Sequence, residues 1–132
     1  DIYKRIAGIE NSKERDDMKD ELLDRFGEIP GPVDNLLRIA LIRVAAHGLY
    51  MTDIKGKNER IAFTFRPDAS IDPEGVPKLL RLYGQKLSFT AYGNPFFTYR
   101  YKKTGLVETD AELLLNKTEE LLKEFEGVLL HS

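Results

Sequence analysis

Apolar positions along the first third of the chain recur at helical spacing, and from residue 49 the period falls to two. Residues 2, 3, 6, 7 and 9 are apolar, the pattern of the last turns of a helix. A chain that opens on Asp1 inside such a pattern reads as a piece of a longer polypeptide, so residues 1–10 are taken as the end of a helix leading in and 11–132 as one domain. Asn11 or Ser12 caps a second helix, with Glu14 completing a capping box, and the helix stops at Gly27. Met18, Leu22 and Phe26 recur every four residues and define its buried stripe, with Leu23 at the edge. After a turn at Glu28–Gly31, Pro32 opens a third helix that is apolar around much of its girth, and Gly48 ends it.

The period-two region predicts two hairpins. Residues 49–55 and 60–66 flank a turn at Gly56–Glu59, with Ile61, Phe63 and Phe65 alternating against polar or small neighbours. Residues 87–92 and 96–102 flank Gly93-Asn94. Between them, Asp72-Pro73 opens a short helix carrying Val76, Leu79, Leu80 and Tyr83 and closed by Gly84. Thr109 and Glu112 have the spacing of a capping box for a final helix with Leu114, Leu121, Leu122 and Phe125 on its apolar side. The fold class is α+β, an antiparallel sheet from two hairpins packed against several helices.

Composition narrows the chemistry. With 132 residues and 42% hydrophobic content, the chain can enclose a core without disulfide or metal staples. Zero Cys removes thiol catalysis and cysteine-ligated metal sites, and it fits a reducing cytoplasm. The two His, at 47 and 131, lie too far apart in sequence to suggest a metal pair, and His47 is placed to favour a helix C-terminus. Gly56-Lys57-Asn58 lacks the residues of a phosphate-binding loop. The expectation is no catalytic residue, no cofactor, no metal and no membrane segment.

Charge divides the chain into blocks. Residues 1–54 are net −3, residues 55–104 net +6 and residues 105–132 net −5. On the second helix, Glu14, Asp17, Asp20, Glu21 and Asp24 fall on the side opposite Met18, Leu22 and Phe26, with Arg15, Lys19 and Arg25 among them. Such a stripe is either a solvated face or a docking surface for a basic partner. The basic block offers a different surface. Arg100, Lys102 and Lys103 lie beside strands rich in Phe and Tyr, which serve either as core or as a platform on which single-stranded nucleic acid stacks.

Three segments carry a resemblance. Tyr3-Lys4-Arg5-Ile6-Ala7, the run Glu21-Leu22-Leu23-Asp24-Arg25-Phe26-Gly27-Glu28-Ile29-Pro30, and Val33 to Ala40 resemble the C-terminal domain of bacterial transcription-repair coupling factors. Beyond Gly48 the likeness is in element order and length only. The resemblance implies a regulatory domain of an ATP-driven double-stranded DNA translocase that acts with RNA polymerase and UvrA. It implies docking on the parent's UvrB-like N-terminal module, which masks the UvrA-binding surface and restrains the motor. It also implies that Glu21 and Asp24 meet arginines of that module, with Asp17, Asp20 and Arg25 beside them. The alternative is an accessory nucleic-acid-binding module using Arg100, Lys102 and Lys103. Either way the chain itself is expected to hydrolyse no nucleotide. Phosphate release from ATP by the purified chain should stay at background with and without DNA; turnover that disappears on mutating a residue of this chain would contradict that.

Overall fold

The computed structural model describes residues 1–130, and the position of His131 lies outside them. The chain divides into two compact units, Asp1–Ala45 and the residues from Ala46 onward.

The first unit is helical, with α1 (Ile2–Ala7), α2 (Ser12–Phe26) and the part of α3 (Gly31–Gly48) that precedes Ala46. The Asp1 carboxylate accepts a hydrogen bond from the Tyr3 N–H at the start of α1. At α2 the Asn11 side chain accepts from the Glu14 N–H at 2.8 Å, and the Glu14 carboxylate accepts in return from the N–H of Glu10, one residue before the cap. Gly27, at φ 79°, ends the helix in the left-handed region that a side chain disfavours. Ile6, Ile9, Met18, Leu22, Leu37 and Ala40 form the core of this unit. Arg43 ties α3 to the α1–α2 connection by donating to the Ile9 carbonyl at 2.6 Å.

Two expectations for these helices are corrected. Phe26 is not part of the buried stripe: it is 57% exposed, and Leu23 is 45% exposed. Each step of four residues advances about 40° around a helix, and it is what packs against the end of α2 that leaves Phe26 exposed. Nor is α3 buried all round, since Ile39 is half-exposed.

The second unit carries a four-stranded antiparallel sheet in the order β1 (Met51–Lys57), β2 (Arg60–Phe65), β4 (Phe96–Arg100), β3 (Leu87–Thr90). It also holds α4 (Gly75–Tyr83), a 3-10 turn at Gly84–Lys86 and α5 (Val107–Glu126). The α+β architecture with two hairpins is as the period-two pattern predicts. The first turn is tighter than expected: Lys57 pairs with Arg60, leaving Asn58 and Glu59 at φ 52° and 60°. Positive φ at both central residues is the signature of the primed turn whose twist matches that of the strands.

Alternation along β2 and β4 puts Ile61, Phe63, Phe65, Phe97 and Tyr99 on one face, all buried. Against this face α5 places Phe125, whose ring centroid lies 5.1 Å from Phe63, 5.7 Å from Phe65 and 4.8 Å from Phe97. These separations are those of favourable tilted and edge-on aromatic pairs. After α5 the chain returns beside residues 70–72, where Leu130 N–H donates to the Ser70 carbonyl and Asp72 N–H to that of Val128. Gly75 opens α4 against this segment: a Cβ there would lie 3.3 Å from the Val128 Cα, closer than packed atoms ordinarily come.

The capping box at Thr109 and Glu112 is not what starts α5. The helix begins at Val107, and the acceptor for the preceding loop is Asp110. Its carboxylate receives the Thr104 N–H at 2.8 Å, the Thr104 hydroxyl at 2.9 Å and the Gly105 N–H at 3.2 Å. Replacing Phe125 by Ala should destabilise the fold by ~3 to 5 kcal/mol, through lost burial and the cavity left among three phenyl rings. Denaturant unfolding checks it.

Candidate functional site

The carboxylates of α2 divide by their neighbours. Glu21 sits on the flank of the helix and receives two hydrogen bonds from the Arg5 guanidinium of α1, one of them at 2.9 Å; Arg25 approaches it at 3.9 Å. The bonded guanidinium holds the Glu21 carboxyl below its usual range, and Glu21 raises Arg5 in return. Asp17 is paired with Lys13 at 3.2 Å, and Asp16 with Arg15 at 2.6 Å. Asp20 and Asp24 stand exposed on the face opposite Met18 and Leu22. Of the two carboxylates that the resemblance singles out, Glu21 is therefore engaged inside the unit and Asp24 points away from its core.

The same face holds apolar surface that the periodicity places elsewhere. Asp20, Leu23 and Phe26 follow one another at spacings of three and so lie in one row, while Asp24 follows Asp20 by four. Half-exposed Leu23 thus neighbours Asp20 on one side and half-exposed Phe26 on the other, while Asp24 adjoins Asp20 and lies far round the helix from Phe26. The helical rotation alone does not single out Phe26, which is turned from Leu22 by the same roughly 40° that separates buried Leu22 from buried Met18; its exposure comes from what packs against the end of α2.

In the second unit, Arg100, Lys102 and Lys103 come together around a groove of ≈ 880 Å³ beside the Asn58–Glu59 turn. The backbone N–H of Lys103 donates to the Glu59 carboxylate at 2.8 Å, and that of Tyr101 to the Glu59 carbonyl at 3.1 Å, which fixes the path of the chain after β4. Of the two readings of the strand aromatics, core holds for Phe63, Phe65, Phe97 and Tyr99, which are buried. Tyr99 meets Tyr83 edge-on at 6.1 Å, and the Tyr83 hydroxyl donates to Glu120 at 2.6 Å. Burial and this bond push the Tyr83 phenol well above its ordinary value, while the same bond lowers Glu120.

Among the described residues no group of three or more His, Asp or Glu could hold a metal ion. No described helix is long and apolar enough to cross a membrane. His47 lies exposed in the last turn of α3.

Comparison with known proteins follows the same lines. A family model described as the TRCF domain matches residues 1–76, extending past Gly48 through the first hairpin to the start of α4. The transcription-repair-coupling factor of Borreliella burgdorferi is 28% identical over 121 residues, 82% of this chain and 11% of that protein. That of Bacillus subtilis is 30% identical over 96 residues, covering 70% and 8% respectively. That of Escherichia coli K12 is 34% identical over 80 residues, covering 61% and 7%. The chain thus spans a small fraction of the length of the curated relatives it matches. Its fold is similar to that in a crystal structure of the C-terminal domain of transcription-repair coupling factor, with a TM-score of 0.65 at 23% identity over 93% of this chain and 79% of that one.

The bonds on Asp110 carry a pH prediction. Hydrogen bonds from Thr104 N–H, then from the Thr104 hydroxyl and Gly105 N–H, hold its carboxyl below the ordinary value. Stability gained from a depressed carboxyl is complete above its unfolded pKa of about 4 and is lost as pH falls through the folded value. Melting curves between pH 6 and pH 2 should therefore fall less steeply for Asp110→Asn than for the native chain at the acid end.

Proposed function

The chain belongs to the TRCF-domain family, the C-terminal domain of transcription-repair coupling factors, and we propose that it regulates its parent by docking on another module of the same polypeptide. The docking surface is the outward face of α2, formed by Asp20, Asp24, Leu23 and Phe26, with Asp17, Glu21 and Arg25 at its margin. The receiving surface is the UvrB-like N-terminal module, whose arginines complement the carboxylates. In this reading, docking masks the surface that binds UvrA and restrains the motor. ATP hydrolysis, translocation on double-stranded DNA and contact with RNA polymerase belong to other parts of the parent. The chain acts there in the cytoplasm as an interaction domain and not as an enzyme.

The observation that supports the proposal is the row of exposed side chains Asp20, Leu23 and Phe26 along α2, with exposed Asp24 next to Asp20. Burying a side chain such as Leu23 or Phe26 contributes ~1.5 to 3 kcal/mol, and interface energy concentrates on such anchors. The charges supply orientation and encounter rate, since exposed pairs alone are worth ~1 kcal/mol or less. Glu21 plays a positioning part: its bonds to Arg5 hold α1 on α2, so its loss acts through the helix pair as well as through the interface.

Asp20→Arg with Asp24→Arg in the full-length parent is the test. Both residues are exposed, so the change should alter domain stability within about 0.5 kcal/mol. Across a desolvated interface, losing a charge partner costs ~2 to 5 kcal/mol and reversal adds repulsion. UvrA binding should therefore rise well above the native level, and Leu23→Ala should raise it in the same direction by a smaller factor. Native-level UvrA capture by both variants, at unchanged melting temperature, would leave the α2 face as solvated surface.

A further inference from the structure

The groove beside the Asn58–Glu59 turn has a charge pattern that docking through α2 does not use. Arg60, Lys86, Arg100, Lys102, Lys103 and Lys117 line it, against the single carboxylate of Glu59. That carboxylate already accepts the Lys103 N–H. Lys117 lies 3.4 Å from Glu120, and Lys103 is near enough to Asp110 to help hold that carboxyl in its charged form.

The sheet register adds an independent sign. Lys57 is paired with Arg60, and Arg60 in turn with Arg100, so three cations stand in one row across β1, β2 and β4. All three are exposed. Directly opposed like charges on neighbouring strands repel, and a sheet that keeps such a row is stabilised by an anion laid across it. Adjacent strands lie about 4.8 Å apart, so the row presents positive charge at short, regular intervals.

We infer that this row and the adjoining groove bind the sugar-phosphate backbone of a nucleic-acid strand. A strand repeats its negative charge about every 3.4 Å of helix axis, a continuous line that suits a line of cations better than the scattered carboxylates of a folded protein surface do. Phe63, Phe65, Phe97 and Tyr99 are buried, and of the aromatic residues on or beside the row only Phe96 and Tyr101 are half-buried, so cations dominate this surface and recognition is chiefly of phosphate, independent of sequence. This differs from stacking on exposed aromatics, and it enlarges the surface from Arg100, Lys102 and Lys103 to include Arg60, Lys57 and Lys86. It uses only the second unit and does not depend on the role of α2.

The experiment is fluorescence anisotropy of the 132-residue chain with a labelled duplex of about 20 base pairs, compared with a single strand of the same length. Neutralising about four phosphates predicts a loss of roughly 100-fold in affinity between 50 and 200 mM salt. Arg60→Gln with Arg100→Gln, and separately Lys102→Gln with Lys103→Gln, should each weaken binding at 50 mM salt at least several-fold and flatten the salt dependence. The Arg60/Arg100 variant should melt no lower than the native chain, because a repulsive pair has been removed; this separates lost binding from lost folding. Undetectable binding at 50 mM salt, or binding that both variants retain, overturns the inference. So does a poly-glutamate peptide of matched charge that binds more tightly than the oligonucleotide, since the groove would then be a site for acidic polypeptide.

Discussion

The packing of Phe125 against Phe63, Phe65 and Phe97 is the contact on which the second unit depends. Its three partners come from two strands that belong to different hairpins, so one side chain of α5 spans the junction that the β2–β4 ladder makes. With the rings turned to this face, alternation sends Arg60, Arg100 and Thr98 to the other. The same constraint that makes the core aromatic makes the opposite surface cationic. It also withdraws Phe63, Phe65, Phe97 and Tyr99 from the surface, where Phe96 and Tyr101 alone of the β4 segment's rings remain half-buried.

Much of the fold was legible in the residues because local and global signals agree. The helix at Ser12–Phe26 has a cap, a period and a breaker that agree, and the period-two runs and the helix closed by Gly84 each have a period and a breaker that do. What was misread had competing local signals. Gly56 attracted the first turn, although the strands continue through it and place Asn58 and Glu59 at the tip. Thr109 and Glu112 have the spacing of a capping box, yet Asp110 reaches back to Thr104 and Gly105 and lets the helix start earlier. The candidate site was half legible. Charge alone picks out the carboxylates of α2, whereas the exposure of Leu23 and Phe26 depends on where the helix turns relative to its partners.

The pairing of Arg5 with Glu21 sharpens the contrast between carboxylates that adjoin in sequence. Glu21 belongs to the internal structure of the helical unit, where the guanidinium orients it, and Asp20 and Asp24 belong to its outer surface. An acidic stripe read as a single feature is therefore two features. One fixes α1 against α2 and the other offers charge outward beside exposed Leu23. The acidic face and the cationic row lie in different units of the chain and differ in sign, so the nearly balanced net charge conceals two surfaces of opposite charge.

The strand order β1-β2-β4-β3 also has a meaning for how the sheet comes into being. Each outer pair is a hairpin whose residues are near neighbours in sequence, and such local structure closes within microseconds. The inner pair is different: Ile61 must find Tyr99 and Phe63 must find Phe97 across an intervening helix. The entropy of closing that long loop is lost before the aromatic contacts return it. The middle of the sheet, and not its edges, is thus the late step of assembly, and the kinetic barrier of this unit lies where the two hairpins meet.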